Sequence, residues 1–525
     1  MAGGTILTVG EVLGAHARLR PSALGACDLD RGLSYADWNR RARRLGNGLL
    51  GLGLEKGDRV GVLAYNRIEF AEIYAACAKA GLVTVPVNFR LTGPEAAFIL
   101  NDCTARALIV EDALLPTFEA ARGEVGIADG AVFVIGRPAA GFGAYEDLID
   151  TGSDRDPDRL VTPDDPWCLM YTSGTTGTPK GAIRSHRGMA MLALMTDIEF
   201  RLHRHDRALL VMPMCHANSL NFLTAFLYRG AGIEIFSRAG FDPELCLSAL
   251  SRATFTSLVP THFSMLLNLP KTARAGGSSV EKLLVSSAPA FAETKREIMA
   301  MFPNSGLYEL YGSTEAGWVT MLHPEEQFDH LGTVGREVVG SRPIRLLDDD
   351  GKEVPDGQPG ELFSSSPYQF DGYWNRSDKT AEAMRGGYLS VGDVALRDEN
   401  GFVRLIDRKK NMIITGGENV YPSEVEQALM AHADVRDAAV VGVHDDKWGE
   451  RVVAAVVMRE GRKGDDAGLT AWCQGRLAGY KRPREFVFLR PEDMPRNTTG
   501  KILHRSLREM FAGEPKDRCD GGDRP

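Results

Sequence analysis

A run of hydroxyl and glycine residues at positions 172–180 follows a short apolar segment and ends in a single lysine. Glycines allow a backbone to approach an anion closely, and successive N–H groups of such a loop can point toward it. Hydroxyls add hydrogen-bond donors, and the lysine adds a positive charge. This chemistry suits a polyphosphate. The candidate phosphate contacts are Thr172, Ser173, Gly174, Thr175, Thr176, Gly177 and Lys180.

This run differs from the Walker A loop, in which the lysine follows a glycine and precedes a serine or threonine. Here Pro179 precedes Lys180, and Gly181 follows it. A P-loop kinase or GTPase is therefore disfavoured. A solvated serine- and glycine-rich linker is the other alternative, but linkers rarely lie between a strand and a Pro-Lys-Gly end.

Further segments combine glycine with charged or aromatic residues. Residues 311–315 read Tyr-Gly-Ser-Thr-Glu, and their glutamate offers the carboxylate oxygen that a hard cation between phosphates prefers. Asp393 follows a glycine, and a carboxylate is a good acceptor for ribose hydroxyls. Residues 407–410 read Asp-Arg-Lys-Lys, and residues 495–502 form a polar turn. Each pattern alone is also compatible with an ordinary turn or a solvated charged face.

Together, and in this order, the segments resemble the motifs of the adenylate-forming superfamily of acyl- and aryl-CoA synthetases, luciferases and peptide-synthetase adenylation domains. The resemblance covers nearly the whole chain and is strongest to bacterial fatty-acyl- or aryl-CoA ligases. It implies an AMP-forming acid–thiol ligase that uses ATP and Mg²⁺ to convert a carboxylic acid into acyl-AMP with release of pyrophosphate. The acyl group would then pass to coenzyme A. The alternatives are a ligase that loads a carrier protein, one that stops at the adenylate, and a non-catalytic acyl-CoA- or ATP-binding relative.

The resemblance also implies the nucleotide contacts. The Tyr311 ring would lie against adenine, Thr314 would contact phosphate, and Glu315 would hold Mg²⁺. The implied contacts outside the loop are Ser287, Ala288, Pro289, Leu310, Tyr311, Gly312, Ser313, Thr314, Asp393 and Arg408. Serine stands at position 287 where glycine is common in the family.

Four catalytic residues are implied, namely Lys501, Glu315, Thr175 and His216. Lys501 would contact carboxylate and α-phosphate oxygens during adenylation, because an ammonium stabilises the negative charge that develops there.

A second set of residues would serve thioester formation. Lys410 would be the hinge about which a small domain rotates, since an exposed charged residue absorbs a backbone rotation without disturbing a core. Gly416, Gly417 and Glu418 would then contact coenzyme A, the glycines leaving room for its pantetheine arm. Luciferases and plant coumarate ligases tend to have lysine at position 416, which favours the bacterial ligases.

The acid pocket is expected around the segment Pro-Met-Cys-His-Ala-Asn-Ser at 213–219. It resembles the family's P-x-x-H segment, and His262 is a second candidate. The implied pocket contacts are His216, Ala217, Ser219 and Ala316. No aspartate that could bind an α-amino group stands between 215 and 226, so the acid is expected to lack one.

Two further histidines, His203 and His205, are expected on an exposed loop because no third metal ligand is evident near them. Eight cysteines are scattered without a C-x-x-C pair, which favours reduced thiols in a cytoplasmic protein.

The composition argues against two classes of protein, nucleic-acid binders and proteins with a membrane span. The 525 residues carry a formal net charge of -9, whereas a nucleic-acid binder usually has the opposite balance. Neither a secretory signal nor an apolar run of bilayer-spanning length is recognisable. We expect small-molecule partners (the acid, ATP and coenzyme A), no nucleic acid and no membrane span. A homodimer is compatible with the sequence.

Strands that alternate with helices predict an α/β fold with largely parallel pairing. Short apolar strands are expected at 59–64, 83–87, 106–110, 131–135, 167–171, 208–212, 232–236 and 283–285, and a loop at 138–166. We expect a large N-terminal domain of layered α/β subdomains with a β-rich subdomain (1–407), which would bind ATP and the acid. A hinge (408–411), a small mobile C-terminal α+β domain (412–512) and a disordered tail (513–525) would follow.

Overall fold

Residue contacts divide the chain into two units. The first comprises Met1–Ile344 with Ser364–Val391, and the second comprises Arg345–Phe363 with Gly392–Pro525. We use a computed structural model, which describes residues 8–172, 179–270, 277–286, 290, 292–415, 418–474, 476–496 and 502–512. The second unit therefore takes in strands that precede the predicted hinge at 408–411. The predicted domain boundaries and the movement at the hinge stay predictions.

Helices and strands alternate through most of the first unit, and the bounds given next cover the elements of both units. The helices are α1 Val9–Leu19, α2 Tyr35–Gly51, α3 Glu69–Ala80, α4 Gly93–Asp102, α5 Leu115–Glu119, α6 Tyr145–Thr151, α7 His186–Phe200, α8 Ala217–Arg229, α9 Pro243–Leu250, α10 Pro260–Leu267, α11 Ala292–Met301, α12 Ser377–Ala383, α13 Pro422–Met430, α14 Asp466–Gln474 and α15 His504–Phe511. The strands are β1 Leu24–Cys27, β2 Gly32–Ser34, β3 Arg59–Leu63, β4 Val83–Pro86, β5 Ala107–Glu111, β6 Val132–Ile135, β7 Gly143–Ala144, β8 Pro166–Thr172, β9 Lys180–Ser185, β10 Arg207–Leu210, β11 Gly232–Ile235, β12 Phe255–Leu258, β13 Lys282–Ser286, β14 Gly306–Ser313, β15 Gly317–Leu322, β16 Arg336–Glu337, β17 Arg345–Leu347, β18 Gly360–Phe363, β19 Met384–Arg385, β20 Tyr388–Leu389, β21 Asp393–Arg397, β22 Val403–Arg408, β23 Ile413–Thr415, β24 Glu418–Val420, β25 Val435–Asp445, β26 Gly449–Met458 and β27 Glu485–Phe488.

Two large sheets organise the first unit. One has seven strands in the order β7-β6-β5-β3-β4-β8-β9, parallel except for the antiparallel pair β8–β9. The other has nine strands in the order β16-β15-β14-β13-β12-β10-β11-β1-β2, with parallel pairing from β14 to β1. Such sheets place the carboxyl ends of neighbouring strands at one edge, where α/β proteins bind ligands.

Large aromatic side chains fill the core of this unit. Trp38, Trp167 and Phe222 are fully buried, and they belong to one cluster that draws on both sheets and on α1, α2, α3, α7 and α8. Full burial of one such side chain contributes about 1.5–3 kcal/mol, so the sheets are firmly joined. The strands β8 and β14, which lead into candidate site residues of the first unit, therefore pack on this one core.

Helix ends follow local sequence signals. Ser34 caps α2 by accepting a hydrogen bond from the Asp37 amide, as N-cap serines do. Gly81 and Gly230 end α3 and α8 with φ of 70° and 74°, a left-handed conformation that glycine adopts without steric cost.

The second unit contains two smaller sheets. An antiparallel four-stranded sheet has the order β17-β18-β21-β22, and a five-stranded sheet has the order β24-β23-β26-β25 with β27 beside β26. Valines and alanines that alternate along β25 and β26 pack on α13 and α14 on one face and on α15 on the other. This packing explains the strong period-two pattern of those strands.

The structure confirms the predicted fold class and corrects one predicted loop. The predicted α/β fold class and its parallel strands are confirmed, but residues 138–166 are not one loop because they contain α6. That helix has seven residues, which is too short for a helical periodicity to be recognised. The seven cysteines in the described part of the chain are buried free thiols. Among the described residues, no helix combines the length and the apolar character that crossing a bilayer requires.

Candidate active site

The two ends of the predicted phosphate loop are held together by an antiparallel hairpin. Thr172, the last residue of β8, is the register partner of Lys180, the first residue of β9. A Walker A lysine instead opens a helix, whereas Lys180 opens a strand. The loop residues Ser173, Gly174, Thr175, Thr176 and Gly177 lie outside the described residues.

A buried carboxylate lies beside the base of this hairpin. Glu315 is 7% exposed, and its Oε1 accepts hydrogen bonds from Thr172 Oγ1 at 3.0 Å and from the Tyr373 hydroxyl at 2.9 Å. Within the described part of the chain, both bonds go to the same oxygen, so Oε2 keeps its acceptor capacity for a ligand. The structure thus brings together two of the predicted site residues, Thr172 and Glu315, which lie 143 positions apart.

Tyr373 is a site residue that the sequence analysis missed. Its ring faces the Lys180 ammonium, which lies 4.5 Å from the ring centroid, at a distance suited to a cation–π contact. The backbone around it continues the sheet, since the Ile183 amide donates to Gly372 O and the Trp374 amide donates to Gly181 O. The signal for it was the Gly-Tyr-Trp sequence at 372–374, because aromatic residues after a glycine are unusual in a polar segment.

A buried arginine supports the turn that carries Glu315. Arg184 on β9 is 3% exposed and donates through Nη1 to the Thr314 carbonyl at 2.9 Å. Burial lowers the pKa of its guanidinium, and the nearby Asp371 and Glu315 carboxylates oppose that shift. Arg184 therefore holds the backbone next to the carboxylate.

The Tyr-Gly-Ser-Thr-Glu segment forms the end of β14 and the turn into β15. A Cβ at Gly312 would lie 2.2 Å from the Gly317 carbonyl oxygen, so only glycine fits there. Ser313 Oγ accepts a hydrogen bond from the Ala316 amide at 2.9 Å and closes the turn. Leu310 is buried, whereas Tyr311 and Thr314 are half-buried. Of the predicted adenine contacts, Ser287, Ala288 and Pro289 lie outside the described residues.

The two residues predicted to contact ribose are neighbours in the second unit. Asp393 and Arg408 are register partners on β21 and β22, and Arg408 Nε lies 3.1 Å from Asp393 Oδ1. The ion pair holds the two side chains side by side, and a carboxylate next to a guanidinium is a chemistry suited to hydroxyl groups.

The predicted hinge residue Lys410 follows directly, in a short turn at Lys409–Asn411. Its side chain is exposed, as expected, and its carbonyl accepts a hydrogen bond from Arg508 Nη2 at 3.1 Å.

The predicted coenzyme A loop is the connection of another hairpin. Thr415 on β23 is the register partner of Glu418 on β24, which is exposed. Gly416 and Gly417 lie outside the described residues. The segment before Lys501 is likewise tied at its ends, because Arg496 and Ile502 form an antiparallel bridge, while Lys501 itself lies outside the described residues.

The acid-pocket segment leads into α8. His216 is the N-cap of this helix and is half-buried, and burial lowers its pKa to about 4, with a further contribution from the Arg90 charge. Its imidazole is therefore neutral near pH 7. Ser219 is buried and donates to the Met212 carbonyl at 2.7 Å, so its hydroxyl holds the preceding turn. Ala217 is half-buried and Ala316 is buried.

The second candidate histidine has a similar environment. His262 stacks on Phe241 with ring centroids 4.2 Å apart, and burial with the Arg90 charge lowers its pKa to about 4. His203 and His205 are exposed, as predicted, and no group of three or more potential metal ligands occurs in the described part of the chain.

Comparisons with known proteins agree with this arrangement. The model of the AMP-binding enzyme family matches residues 15–374, and that of the AMP-binding enzyme C-terminal domain matches residues 424–501. The chain belongs to the AMP-binding enzyme family. The predicted superfamily, the α/β fold and the class of AMP-forming acid–thiol ligase are thereby confirmed.

Individual members of this AMP-binding family are similar over nearly their whole length. A feruloyl-CoA synthase from an Amycolatopsis species is 37% identical over 501 residues, which cover 94% of this chain and 97% of the relative. Fatty acid–[acyl-carrier-protein] ligase ScoC from Streptomyces coeruleorubidus is 33% identical over 522 residues, covering 97% of each. An ATP-bound crystal structure of MatB from Rhodopseudomonas palustris superposes with a TM-score of 0.87 at 30% identity, covering 96% of this chain and 99% of MatB.

Proposed function

We propose that this protein is an acyl-CoA synthetase that activates a fatty or aryl acid as acyl-AMP and transfers the acyl group to coenzyme A. The observation that carries the proposal is the contact of Glu315 with Thr172 at the base of the phosphate loop. A buried carboxylate beside a hydroxyl- and glycine-rich loop suits a nucleotide polyphosphate with a divalent cation. The names of the similar proteins support the choice of an acid and a thiol as the other substrates.

Glu315 fits Mg²⁺ because its Oε2 makes no hydrogen bond to another described residue. Magnesium is commonly held by one or two carboxylates together with substrate phosphates, so a lone carboxylate suffices. When bound, the cation would neutralise charge on the phosphates. Thr172 and Tyr373 keep the carboxylate in place through Oε1.

In the first half-reaction, a carboxylate oxygen of the acid attacks the α-phosphorus of ATP, and the bond to the β-phosphate bridging oxygen breaks. Lys180 and the loop hydroxyls, with Thr175 among them, hold the departing pyrophosphate. Lys501 holds the α-phosphate and carboxylate oxygens as negative charge develops. His216, neutral because its pKa is about 4, orients the carboxylate without adding a charge.

In the second half-reaction, the coenzyme A thiolate attacks the acyl carbonyl carbon and AMP leaves. The small domain turns about Lys410, which withdraws Lys501 and brings Gly416, Gly417 and Glu418 to the thioester site. Asp393 and Arg408 hold the ribose hydroxyls. Luciferase-like chemistry without a thiol is disfavoured by the glycine at position 416.

A carrier-protein thiol is the second candidate acceptor, because ScoC carries that acceptor in its name. Coenzyme A is favoured since the family resemblance is strongest to CoA ligases. We place the enzyme in the cytoplasm, where its thiols stay reduced, and we retain a homodimer and the absence of nucleic-acid binding as predictions.

The test is release of pyrophosphate from Mg·ATP with a panel of fatty and aryl acids, in the presence and absence of coenzyme A or a holo carrier protein. We expect release with one class of acid, and AMP and acyl-CoA to accumulate only with coenzyme A. Glu315→Gln should reduce the rate at least 100-fold and raise the Mg²⁺ requirement, since removing one electrostatic contact typically costs that much. Binding of ATP without pyrophosphate release for any acid would contradict the proposal and favour a non-catalytic relative.

A further inference from the structure

Three polar side chains from three different elements form a hydrogen-bonded cluster near the predicted acid pocket. Asn218 Nδ2 on α8 donates to Ser257 Oγ on β12 at 3.1 Å and to Ser286 Oγ on β13 at 3.2 Å. The two serine hydroxyls lie 3.1 Å from each other. Both serines are buried, at 2% and 3% exposure, whereas Asn218 is half-buried. We call Asn218, Ser257 and Ser286 the polar triad.

The triad has more hydrogen-bonding capacity than its internal bonds use. Its amide supplies two N–H donors and its serines supply two O–H donors. Three donors are used within the triad: two from the amide and one between the serines. One serine O–H and the Asn218 Oδ1 acceptor remain. A hydroxyl group on a ligand both accepts and donates, so it can satisfy the two together.

The opposite orientation of the amide fits these distances less well. If Oδ1 pointed at the serines, both hydroxyls would have to donate to it. Neither proton would then remain for the 3.1 Å contact between Ser257 and Ser286, and two oxygens would face each other without a hydrogen. The orientation with Nδ2 toward the serines satisfies all three contacts.

The position of the triad connects it to the acid. Asn218 lies two residues after His216, in the first turn of α8, and Ser286 immediately precedes the predicted adenine segment 287–289. Ser257 and Ser286 stand at the carboxyl ends of two paired parallel strands, the edge at which α/β sheets bind ligands. Along the chain, the triad therefore adjoins both the histidine proposed to contact the carboxylate and the segment proposed to bind adenine.

An unpaired buried ring nitrogen on the helix that follows β12 adds a second polar group to this part of the first unit. His262 follows β12 on α10, and its buried Nδ1 has no hydrogen-bond partner among the described residues. Arg90 acts on both His262 and His216, so the two imidazoles share one charged neighbour. A pocket built for an unsubstituted alkyl chain would be expected to have apolar side chains at the positions of Asn218, Ser257 and Ser286.

We propose that the polar triad binds a hydroxyl group of the acid, so that the preferred substrates are hydroxylated carboxylic acids. This inference rests on the proposed function and adds the substrate class. The Ser257 or Ser286 hydroxyl donates to the substrate oxygen, and Asn218 Oδ1 accepts its proton. An acid that lacks the hydroxyl leaves a buried O–H and an amide oxygen unpaired, and a site of this kind strongly rejects such an analogue.

The test compares matched acids that differ by one hydroxyl: para-hydroxycinnamate with cinnamate, and ω-hydroxydodecanoate with dodecanoate. The readout is the ratio of kcat/KM for pyrophosphate release within each pair. We expect about a 10- to 100-fold preference for the hydroxylated acid in at least one pair, since each unpaired buried group lowers the rate about tenfold. A preference in the aryl pair identifies a phenol and a preference in the alkyl pair an alcohol, and either supports the proposal.

Two variants address the triad directly. Asn218→Leu removes the acceptor and the link between the serines, and Ser286→Ala removes one hydroxyl with little change of volume. Both should lower the hydroxyl preference at least fivefold. Ser279→Ala is the matched control, because its hydroxyl bonds to the Leu250 carbonyl at 2.9 Å before the start of β13, at the opposite end of the strand, so it should keep the wild-type ratio.

The outcomes separate this inference from the proposed function. Ready activation of the acids with ratios near one would overturn the triad proposal and leave the ligase assignment intact. If Asn218→Leu and Ser286→Ala both kept the wild-type ratio of kcat/KM, the triad proposal would also be overturned and the ligase assignment would stand. The absence of activation with every acid would overturn the proposed function and this inference with it.

Discussion

The hydroxyl of Tyr373 lies 2.9 Å from Glu315 Oε1, while the ring of the same tyrosine faces the Lys180 ammonium at 4.5 Å. One side chain thus contacts both the carboxylate proposed to hold Mg²⁺ and the lysine at the end of the phosphate loop. Its backbone pairs with β9 through an isolated bridge to Ala182. We infer that Tyr373 positions two charged groups of opposite sign.

Replacement of Tyr373 by phenylalanine should separate these two contacts. Tyr373→Phe keeps the ring against Lys180 but removes the hydrogen bond to the carboxylate. A hydrogen bond to a charged group contributes about 1.5–3 kcal/mol, so we expect about a 10- to 100-fold loss in kcat/KM for ATP. The concentration of Mg²⁺ needed for half-maximal rate should rise. Tyr373→Leu should add a loss in ATP affinity, because the ring is also removed.

Tyr145→Phe is a matched control for this substitution. Tyr145 is also buried and donates to a buried glutamate, Glu72, at 2.7 Å, but within the core of the first unit. It should lower the melting temperature without changing the Mg²⁺ dependence. An equal Mg²⁺ dependence in Tyr373→Phe and the wild type would show that Tyr373 has a structural role alone.

Local sequence patterns were sufficient to predict many of the helices and strands. The strand at 83–87 and the helix that ends at Gly81 were predictable because burial on both faces gives continuous apolar runs and a left-handed helix end requires glycine. The ends of the phosphate loop at Thr172 and Lys180 were predictable for the same reason, since a strand and a Pro-Lys-Gly sequence flank it.

Contacts between distant residues outside the motifs that carry the family resemblance were not predictable. Tyr373 and Glu315 are separated by 58 residues, and Asn218 and Ser286 by 68. Neither pair has a local signature, because a tyrosine or serine makes such bonds only when the sheet brings its partner alongside. The grouping of β17 and β18 with the second unit has no local signature either, since it depends on antiparallel pairing of β18 with β21 and of β17 with β18.

A buried histidine should make the protein sensitive to acid. His186 is 1% exposed and stacks on Trp167, and burial lowers its pKa from 6.5 to about 4. Between those pH values the unfolded chain binds a proton that the native imidazole does not bind, so the free energy of unfolding falls as the pH drops from 6.5 to 4. His186→Phe retains the stacking and should reduce this loss by an amount on the order of a few kcal/mol.

The measurement is the free energy of unfolding by urea at pH 7.5 and at pH 5. The exposed His203 gives the control, and His203→Gln should show the wild-type difference between the two pH values. Equal acid sensitivity in His186→Phe and the wild type would show that other groups cause the loss of stability at pH 5. His216 and His262 would then be the first candidates, because burial also lowers their pKa to about 4.

The proposed role of Lys501 predicts a separation of the half-reactions. Lys501→Ala should abolish acid-dependent pyrophosphate release, because the ammonium acts only while charge develops at the α-phosphorus. Formation of acyl-CoA from supplied acyl-AMP should continue at a rate within a few-fold of the wild type. An equal fall in the rates of both half-reactions would contradict the proposal that the small domain turns between them.

The hinge assignment can be tested by restricting one backbone torsion. Lys410→Pro fixes φ near −65° and removes an N–H, so the short turn at Lys409–Asn411 can no longer adopt two conformations. We expect one half-reaction to fall at least 100-fold while the other is kept, measured separately with acid plus ATP and with acyl-AMP plus coenzyme A. Lys410→Ala is the control, because it removes the charge and leaves the torsion free, and it should change both half-reactions in the same proportion. A proline variant that behaves like the alanine variant would place the hinge elsewhere, since a true pivot must be sensitive to its backbone and insensitive to its side chain.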